Sequence, residues 1–343
     1  MKKLKKDVTI KDIARIAGVS VATISRAINN RKGVRPETKE KVLKVVQRYN
    51  YFPNIYAQVL VKQKVKNIGL IFPYNLDMLM DMYLTELTSH IEDETLKYGY
   101  DLTLYFPHST LPSEIENQYL ELFRSKKVGG LLIGGVQVDD KTVRLLINEG
   151  YPFFIIGSHL NYLNYNFVDV DHKSAVEEAV SYLAEKGLKK IAYIGTPLSF
   201  STPIEKFLGY KSALAKYNIE LDTKIIFHNI NSYIEAFNLC WRMITEKNVP
   251  QAFFCENDML AWGIINSLLK AKIRIPEDVS IIGYNDTEFS NKIYPALTTI
   301  HLPIEQIAFE AVKSIIFLIE KKVNTVEPKI LKASLVLRET TIK

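Results

Sequence analysis

Two cysteines and two tryptophans are all that 343 residues contain of either, and the six histidines are scattered. Cys240 and Cys255 sit in the apolar stretches "NLCWRM" and "AFFCEND". Neither has a partner at C-x-x-C or Cys/His spacing, so both are expected in the core rather than on a metal. There is no HExxH or comparable ligand pair, no GxSxG and no Walker-type glycine loop. Metal binding and enzymatic activity are therefore without a sequence basis, and no cofactor is implied. No apolar run approaches the roughly 18 to 20 residues of a membrane span. The basic opening "MKKLKKDVTIKD" is followed by neither an apolar h-region nor a small-residue cleavage site. A secretory signal is not expected, and the chain is placed in the cytoplasm with no membrane partner. What remains, 47% hydrophobic and 24% charged, suits a soluble globular protein with material for two or three domains.

The net charge of +6 hides a division. Residues 1–66 hold 17 Lys and Arg against Asp7, Asp12, Glu37 and Glu40, a charge of +13, which leaves 27 bases against 34 acids, or −7, for the rest. A small basic module joined to a large acidic one points to a polyanion-binding head on a body with another task.

Within the head, "VTIKDIARIAGVSVATISRAINN" carries mutually consistent local signals. Thr9 can cap a helix whose N3 residue is Asp12, with Ile10, Ile13, Ile16 and Ala17 at helical spacing and a stop at Gly18. Ser20 can cap a second helix whose apolar side carries Val21, Ile24, Ala27 and Ile28. A third helix from Pro36 offers Val42, Leu43, Val45 and Val46 to cover the first two. Two short helices joined by a glycine turn form a helix-turn-helix, whose second helix enters the major groove.

"TIKDIARIAGVSVATISRAIN" followed by "YNYFPNIYAQVL" closely resembles the N-terminus of the LacI/GalR family of bacterial transcriptional repressors. The resemblance continues through "VGGLLIGG", "GLKKIAYIGTP", "FLGYKSAL", "END", "IPEDVSIIGYNDTEFS", "YPALTTIHLP" and "LVLRETT". It implies a head over 1–52 and a hinge helix and linker over 53–66. Residues 67–343 then form the effector-binding and dimerisation body. The hinge segment "PNIYAQVL" is too short to stay helical alone, and in the family it orders in the operator's minor groove. Leu60 would be wedged between base pairs there, with Asn54 and Ala57 on the same segment. On the second helix, the resemblance assigns Val21, Ala22 and Arg26 to base edges. Arg26 suits guanine O6 and N7, whereas Val21 and Ala22 offer apolar contact only. The Val-Ala pair is similar to the galactose-repressor branch. Thr9, Ser20, Thr23, Ser25 and Asn29 are cast as phosphate positioners, with simple capping or helix-surface duty as the alternative for each.

The body alternates strand-like runs ("NIGLIF", "LTLYF", "GGLLIG", "FFIIG", then "KIAYIG", "IIFHN", "AFFCEN", "VSIIGY") with amphipathic segments such as "YLTELTSHIEDETLKYG". Two successive doubly wound parallel sheets follow. The resemblance implies a periplasmic-binding-protein-like body with the effector between two subdomains, joined by crossings near 168, 296 and 326. The N-subdomain is expected over 67–167 and 297–326 and the C-subdomain over 168–296 and 327–343. Strand-end logic puts Tyr74, Ser158, Asn257, Asp258, Asn285 and Asp286 at the cleft, helix capping being the alternative for Asp258 and Asp286. Lys206 falls where the family commonly has an effector-binding arginine, and Asn285 where many members have a sugar-binding aspartate. Lysine keeps the charge but loses the bidentate fork. Trp241, Trp262 and the tyrosines of "LNYLNYNF" invite a sugar-stacking reading, but most of them are expected in packing.

The reading is thus a homodimeric repressor of carbohydrate-utilisation genes that binds double-stranded operator DNA and is released by a small sugar. Two alternatives stand beside it: a corepressor-dependent regulator using a purine or a phosphoprotein partner, and a cytoplasmic sugar-binding protein.

Overall fold

The computed structural model describes residues 8–28, 32–49, 51, 65–72, 81–106, 112–135, 141–157, 165–323 and 325–342, with 112–117 in backbone only. The chain divides into two units, Met1–Val65 and Lys66–Lys343.

In the first unit, α1 (Ile10–Ala17) begins with a reciprocal cap: Asp12 N donates to Thr9 Oγ1 at 3.3 Å and Thr9 N donates to Asp12 Oδ2 at 3.1 Å. It ends at Gly18, whose φ of +66° is open to a residue without Cβ, and whose N–H returns to Ala14 and Arg15 carbonyls. Thr23 N donates to Ser20 Oγ at 3.1 Å, opening α2 (Val21–Ile28). A proline in its first turn opens α3 (Pro36–Arg48). Ile13, Ala14, Ala17, Ile24, Ala27, Val42 and Tyr51 make the core. Ile16 and Leu43, expected inward, are 41% and 43% exposed, and Val21, read both as core-facing and as base-facing, is 41% exposed. Each lies one helical step, about 100°, off the line drawn by its buried neighbours.

The second unit holds two six-stranded sheets. In the first, β1 (Asn67–Ile71) lies next to one edge, between β3 and β2. Parallel strands β2 (Asp101–Tyr105), β3 (Gly130–Gly134), β4 (Phe153–Ile156), β5 (Phe167–Val170) and β11 (Lys329–Leu331) give the order β11-β5-β4-β3-β1-β2. In the second, β6 (Ile191–Ile194), β7 (Ile226–Phe227), β8 (Ala252–Cys255), β9 (Ser280–Asn285) and β10 (Thr298–His301) run parallel. The edge strand β12 (Ser334–Val336) is antiparallel to β10. The expected all-parallel second sheet is corrected there, and the reason is topological. β11 ends facing the second lobe, and two residues later β12 enters that sheet from the side by which the other strands leave.

Helices cover both faces because successive strand residues point to opposite sides. Ile191 and Tyr193 face a core shared with α7 (His172–Glu185) and α8 (Ser201–Lys216). Ala192 and Ile194 face α9 (Tyr233–Thr245) and α10 (Asp258–Lys270), where Cys240 and Cys255 are also buried as free thiols. The first sheet is flanked by α4 (Met82–Lys97) and α11 (Ile304–Ile319) on one side. On the other lie α5 (Pro112–Arg124) and α6 (Lys141–Glu149).

The lobes are joined at Asp171, at Leu302–Pro303 and at Lys332–Ala333. Each crossing falls a few residues after the expected 168, 296 and 326. Residues 168–170 and 329–331 belong to the first sheet and 298–301 to the second. Strands this short, flanked by polar residues, do not announce which sheet takes them, since partners as distant in sequence as Val168 and Lys329 decide it. Phe237 and Trp241 stack at 6.3 Å and Trp262 packs edge-on to Phe289 at 4.7 Å, so both indoles serve in packing. Of "LNYLNYNF", Tyr165 meets Phe167 edge-on at 5.7 Å; the rest up to residue 164 lies outside the described residues.

Candidate functional site

Two surfaces carry the expected residues. On α2, Val21, Ala22 and Arg26 are exposed, while Ile24 and Ala27 enter the core. Ala22 and Arg26, four apart, share one face. The hydroxyls around them are occupied locally: Thr9 Oγ1 donates to Asp12 Oδ2 at 2.7 Å, and Ser20 Oγ and Thr23 Oγ1 lie 2.9 Å apart. Capping is thus what Thr9 and Ser20 do here, and Ser25 is half-buried. Asn29, Asn54, Ala57 and Leu60 lie outside the described residues, as do Tyr74 and Ser158 in the body.

The second surface is where strands of the two sheets end towards each other. Lys206, in the second turn of α8, is 7% exposed. Its Nζ donates to the Glu256 carbonyl at 2.8 Å and stands 3.8 Å from the centre of the Tyr284 ring, a cation–π geometry. Burial pushes the Lys206 pKa down, and the charges of Glu256, Asp81, Asp258 and Asp169 work against that shift. Glu256, at the end of β8 and 2% exposed, accepts from Thr196 N at 2.8 Å and Thr196 Oγ1 at 2.6 Å. Its other oxygen accepts from Tyr193 Oη. That approach needs Gly195, where a Cβ would stand 2.7 Å from the same carboxylate.

Asn257 caps α10, its side chain accepting from Leu260 N at 2.8 Å. Asp258 is therefore not the cap. Its carboxylate is 3% exposed and accepts from Thr299 Oγ1 at 2.5 Å, Ser290 Oγ at 2.6 Å and Thr287 N at 3.2 Å. Burial raises its pKa to about 6, outweighing those hydrogen bonds. Gly283 makes room, because a Cβ there would lie 2.4 Å from the carboxylate. Asn285 and Asp286 close β9 with φ of +112° and +53°. Asn and Asp are the non-glycine residues that best tolerate this region, and such strain collects at binding sites. Asn285 is 8% exposed. Asp286 is not a helix cap either: its oxygens meet Arg338 at 2.6 Å and His301 at 3.1 Å.

Of the expected cleft residues described, Lys206 and Asp258 fall within one field; Asn257 adjoins Asp258 in sequence, and Asn285 ends the neighbouring strand β9. Sequence reasoning missed Asp81, Glu256 and the crossing network. Asp81 caps α4, accepting from Tyr83 N at 2.9 Å and Leu84 N at 3.3 Å. Burial raises its pKa while those bonds and Lys206, from the other lobe, lower it. The available signal was an acid immediately before an amphipathic helix, which reads as a cap and nothing more. Glu256 could have been found by the strand-end rule that found its neighbour. At the first crossing, His172 Nε2 lies 2.9 Å from Asp169 Oδ1 of the first lobe, and its Nδ1 hydrogen-bonds the Tyr284 hydroxyl of the second. Among the described residues no cluster of His, Cys, Asp and Glu could hold a metal, and no helix is long and apolar enough to cross a membrane.

A helix-turn-helix with a solvent-exposed second helix, in one chain with two facing α/β lobes that share a charged seam, defines a DNA-binding regulator with a ligand-binding type of body. Residues 9–54 match the family described as "Bacterial regulatory proteins, lacI family", and residues 180–341 match "Periplasmic binding protein-like domain". The chain is 31% identical over 300 residues to the catabolite control protein A of Staphylococcus epidermidis, covering 88% of this chain and 89% of that one. It is 28% identical over 315 residues to the HTH-type transcriptional repressor PurR of Histophilus somni, covering 92% and 93%. A solved lac repressor dimer bound to operator and the anti-inducer ONPF superposes with a TM-score of 0.86 at 25% identity, over 98% of this chain and 100% of that one. The chain belongs to the LacI family of DNA-binding transcriptional regulators.

Proposed function

We propose that the chain is a homodimeric repressor of carbohydrate-utilisation genes, released from its operator by a small sugar bound between the lobes. It works in the cytoplasm by binding rather than by catalysis, in keeping with the regulators it resembles. Arg26 reads a guanine, Val21 and Ala22 make apolar base contacts, and Thr9, Ser20, Thr23, Ser25 and Asn29 face phosphates. Asn54, Ala57 and Leu60 belong to the hinge, with Leu60 as the wedge. Tyr74, Ser158, Lys206, Asn257, Asp258 and Asn285 face the effector. The head spans 1–52, the hinge 53–66 and the body the remainder.

The observation that carries the effector reading is the buried Lys206 held among acids at facing strand ends. Buried charge is a poor stabiliser, since desolvation offsets the attraction, so its accumulation at a cleft marks a binding site. The test is fluorescence anisotropy on DNA from upstream of the gene, at fixed salt, with and without mono- and disaccharides. Release by one sugar is the expected result. Tightening by a ligand would replace the induction reading with a corepressor one, because only differential affinity for the two states moves the equilibrium. Equal binding to random DNA under every condition would sink the regulatory role of the cleft.

A further inference from the structure

Three successive residues at the end of β9 are bonded to all three crossings between the lobes. The hydroxyl of Tyr284, a fully buried residue, is hydrogen-bonded to Nδ1 of His172, the first residue beyond the Asp171 crossing. The other ring nitrogen of His172, Nε2, lies 2.9 Å from Asp169 Oδ1 on β5 of the first lobe. A carboxylate only accepts, so Nε2 carries the proton between them. The Asn285 carbonyl accepts from Leu302 N at 3.4 Å, at the second crossing. Asp286 meets His301, just before that crossing, at 3.1 Å. It also meets Arg338 at 2.6 Å, two residues beyond β12, the strand that follows the third crossing. The first and third crossings are themselves joined, Asp171 N donating to Leu331 O at 3.0 Å.

Asn285 and Asp286 hold φ of +112° and +53°. Two consecutive non-glycine residues keep such a backbone only where their surroundings over-determine it. The bonds that do so here run to the crossings. Asp169, His172 and Tyr284 are almost wholly withdrawn from water, so a broken bond among them is not replaced by solvent. The Tyr284 ring in turn carries Lys206 Nζ 3.8 Å from its centre, and the same Nζ donates to the Glu256 carbonyl at 2.8 Å.

We propose that the tip of β9, residues 284–286, is the joint that couples the three crossings. His172 and Asp286 are its positioning residues, turning a change at Lys206 into a change of angle between the lobes. A ligand that engages Lys206 Nζ competes with the Tyr284 ring and the Glu256 carbonyl, and the tip moves together with the crossings bonded to it. Hinges of this kind place the motion in a few element-terminal residues. The trigger rests on the sugar-effector reading above, whereas the joint stands on the bonds alone.

The test cuts the tip at either end in the full chain. Tyr284→Phe keeps the ring beside Lys206 and deletes the bond to His172. Asp286→Asn keeps a residue that tolerates positive φ and weakens the pairing with Arg338 and His301. Tyr210→Phe is the control, because it deletes a buried hydroxyl bonded to the Ile191 carbonyl at 2.8 Å within the second lobe. Hydrogen exchange reads the joint without a ligand. Tyr284→Phe should speed exchange of the Leu302 amide, and Asp286→Asn that of the Asp171 amide, each by at least about fivefold, the lower end of coupling between sites. In each case the altered side chain makes no bond to the crossing that is read. Tyr210→Phe should leave both amides as they are. Glucose, galactose, maltose and cellobiose are the probes for coupling. Both tip variants should keep a bound sugar's affinity within about threefold, while the factor by which it weakens binding to the upstream DNA falls by at least about fivefold. Unchanged exchange at the unbonded crossing in both folded variants overturns the joint and leaves the effector reading standing. Sugar affinity and DNA release lost in equal measure would make the tip a ligand contact and overturn its positioning role. If none of the four sugars alters the melting temperature or the DNA affinity of the native chain, the sugar-effector reading falls, and the two amides still decide the joint.

Discussion

In the head, Arg15 meets Asp12 at 3.3 Å with its side chain 81% exposed, and Lys44 meets Glu40 at 2.7 Å with 74% exposed. In the body, Glu256, Asp258 and Lys206 are withdrawn from water almost completely. The same residue types do different work in the two places. Exposed pairs contribute roughly 0 to 1 kcal/mol each and are screened by salt, so the head's charge acts as a sum, a field that draws in a polyanion. Buried charges are fixed singly by named donors, and each must be justified by what it holds. The head can exchange one lysine for another with little consequence. The body cannot exchange Glu256 without leaving Thr196, Tyr193 and the space beside Gly195 unserved.

The contrast is sharpest in the cores. Ile13→Ala and Ile281→Ala delete the same side chain from fully buried sites, at a cost of roughly 2 to 5 kcal/mol each. The head core is a handful of side chains, so Ile13→Ala should abolish operator binding while the body's thermal transition is unmoved. Ile281→Ala should lower that transition and leave a cooperative fold. Equal retention of DNA binding in both variants would break the comparison.

Asp258 tests the buried side. Its folded pKa of about 6 lies above the unfolded value of 3.8, so its contribution is fully present below pH 4 and is lost as pH rises through 6. The difference amounts to about 3 kcal/mol across that window. Asp258→Asn removes the titration, and urea unfolding of the variant should show a shallower fall in stability between pH 4 and 7 than the native chain. An identical slope would mean the carboxylate is better solvated than its surroundings indicate.

Arg26→Ala addresses the exposed side. It should weaken operator binding by about 1 to 3 kcal/mol and relax the preference at a single base pair. Lys39→Ala, in the same basic field, should weaken binding to every sequence alike and flatten its salt dependence. If Arg26→Ala behaves like the lysine variant, the head's charge is a field throughout. The smallest effect belongs to Thr9→Ala, which removes half of the reciprocal cap of α1 and should lower head stability by about 1 kcal/mol, read by denaturation of the isolated transition.

The head was legible almost to the residue, because caps, stops and helical spacing act within four positions. Ile16 and Leu43, expected inward and found outward, are apolar residues at phases that the pattern alone leaves ambiguous; Val21, to which the pattern gives a core role and the resemblance a base-facing one, is exposed in agreement with the second. In the body, the strands inside continuous apolar runs announced themselves, β4, β6, β7 and β8 among them though none exceeds four residues, while β5, β10, β11 and β12 did not: polar residues interrupt or flank them, and pairing across the fold defines them. The cleft was half legible for the same reason. Strand ends pointed to Asn257 and Asp258, but the bonds that separate a cap from a clamp run to residues 3 and 29 to 41 positions away. Asp81 and Lys206 influence each other's charge only because three crossings bring two lobes face to face.

Those crossings also set the order in which a growing chain can finish its parts. The head core is closed once Tyr51 has left the ribosome. Both lobes of the body wait far longer. The first sheet lacks its outer strand until Leu331 is made, the second until Val336, and Thr340 and Thr341 are buried after that. A message cut short before Lys329 therefore yields a finished head on two lobes with open edges. Until those edge strands are made, the ligand-answering half of the molecule presents unpaired strand edges, the feature through which incomplete sheets associate.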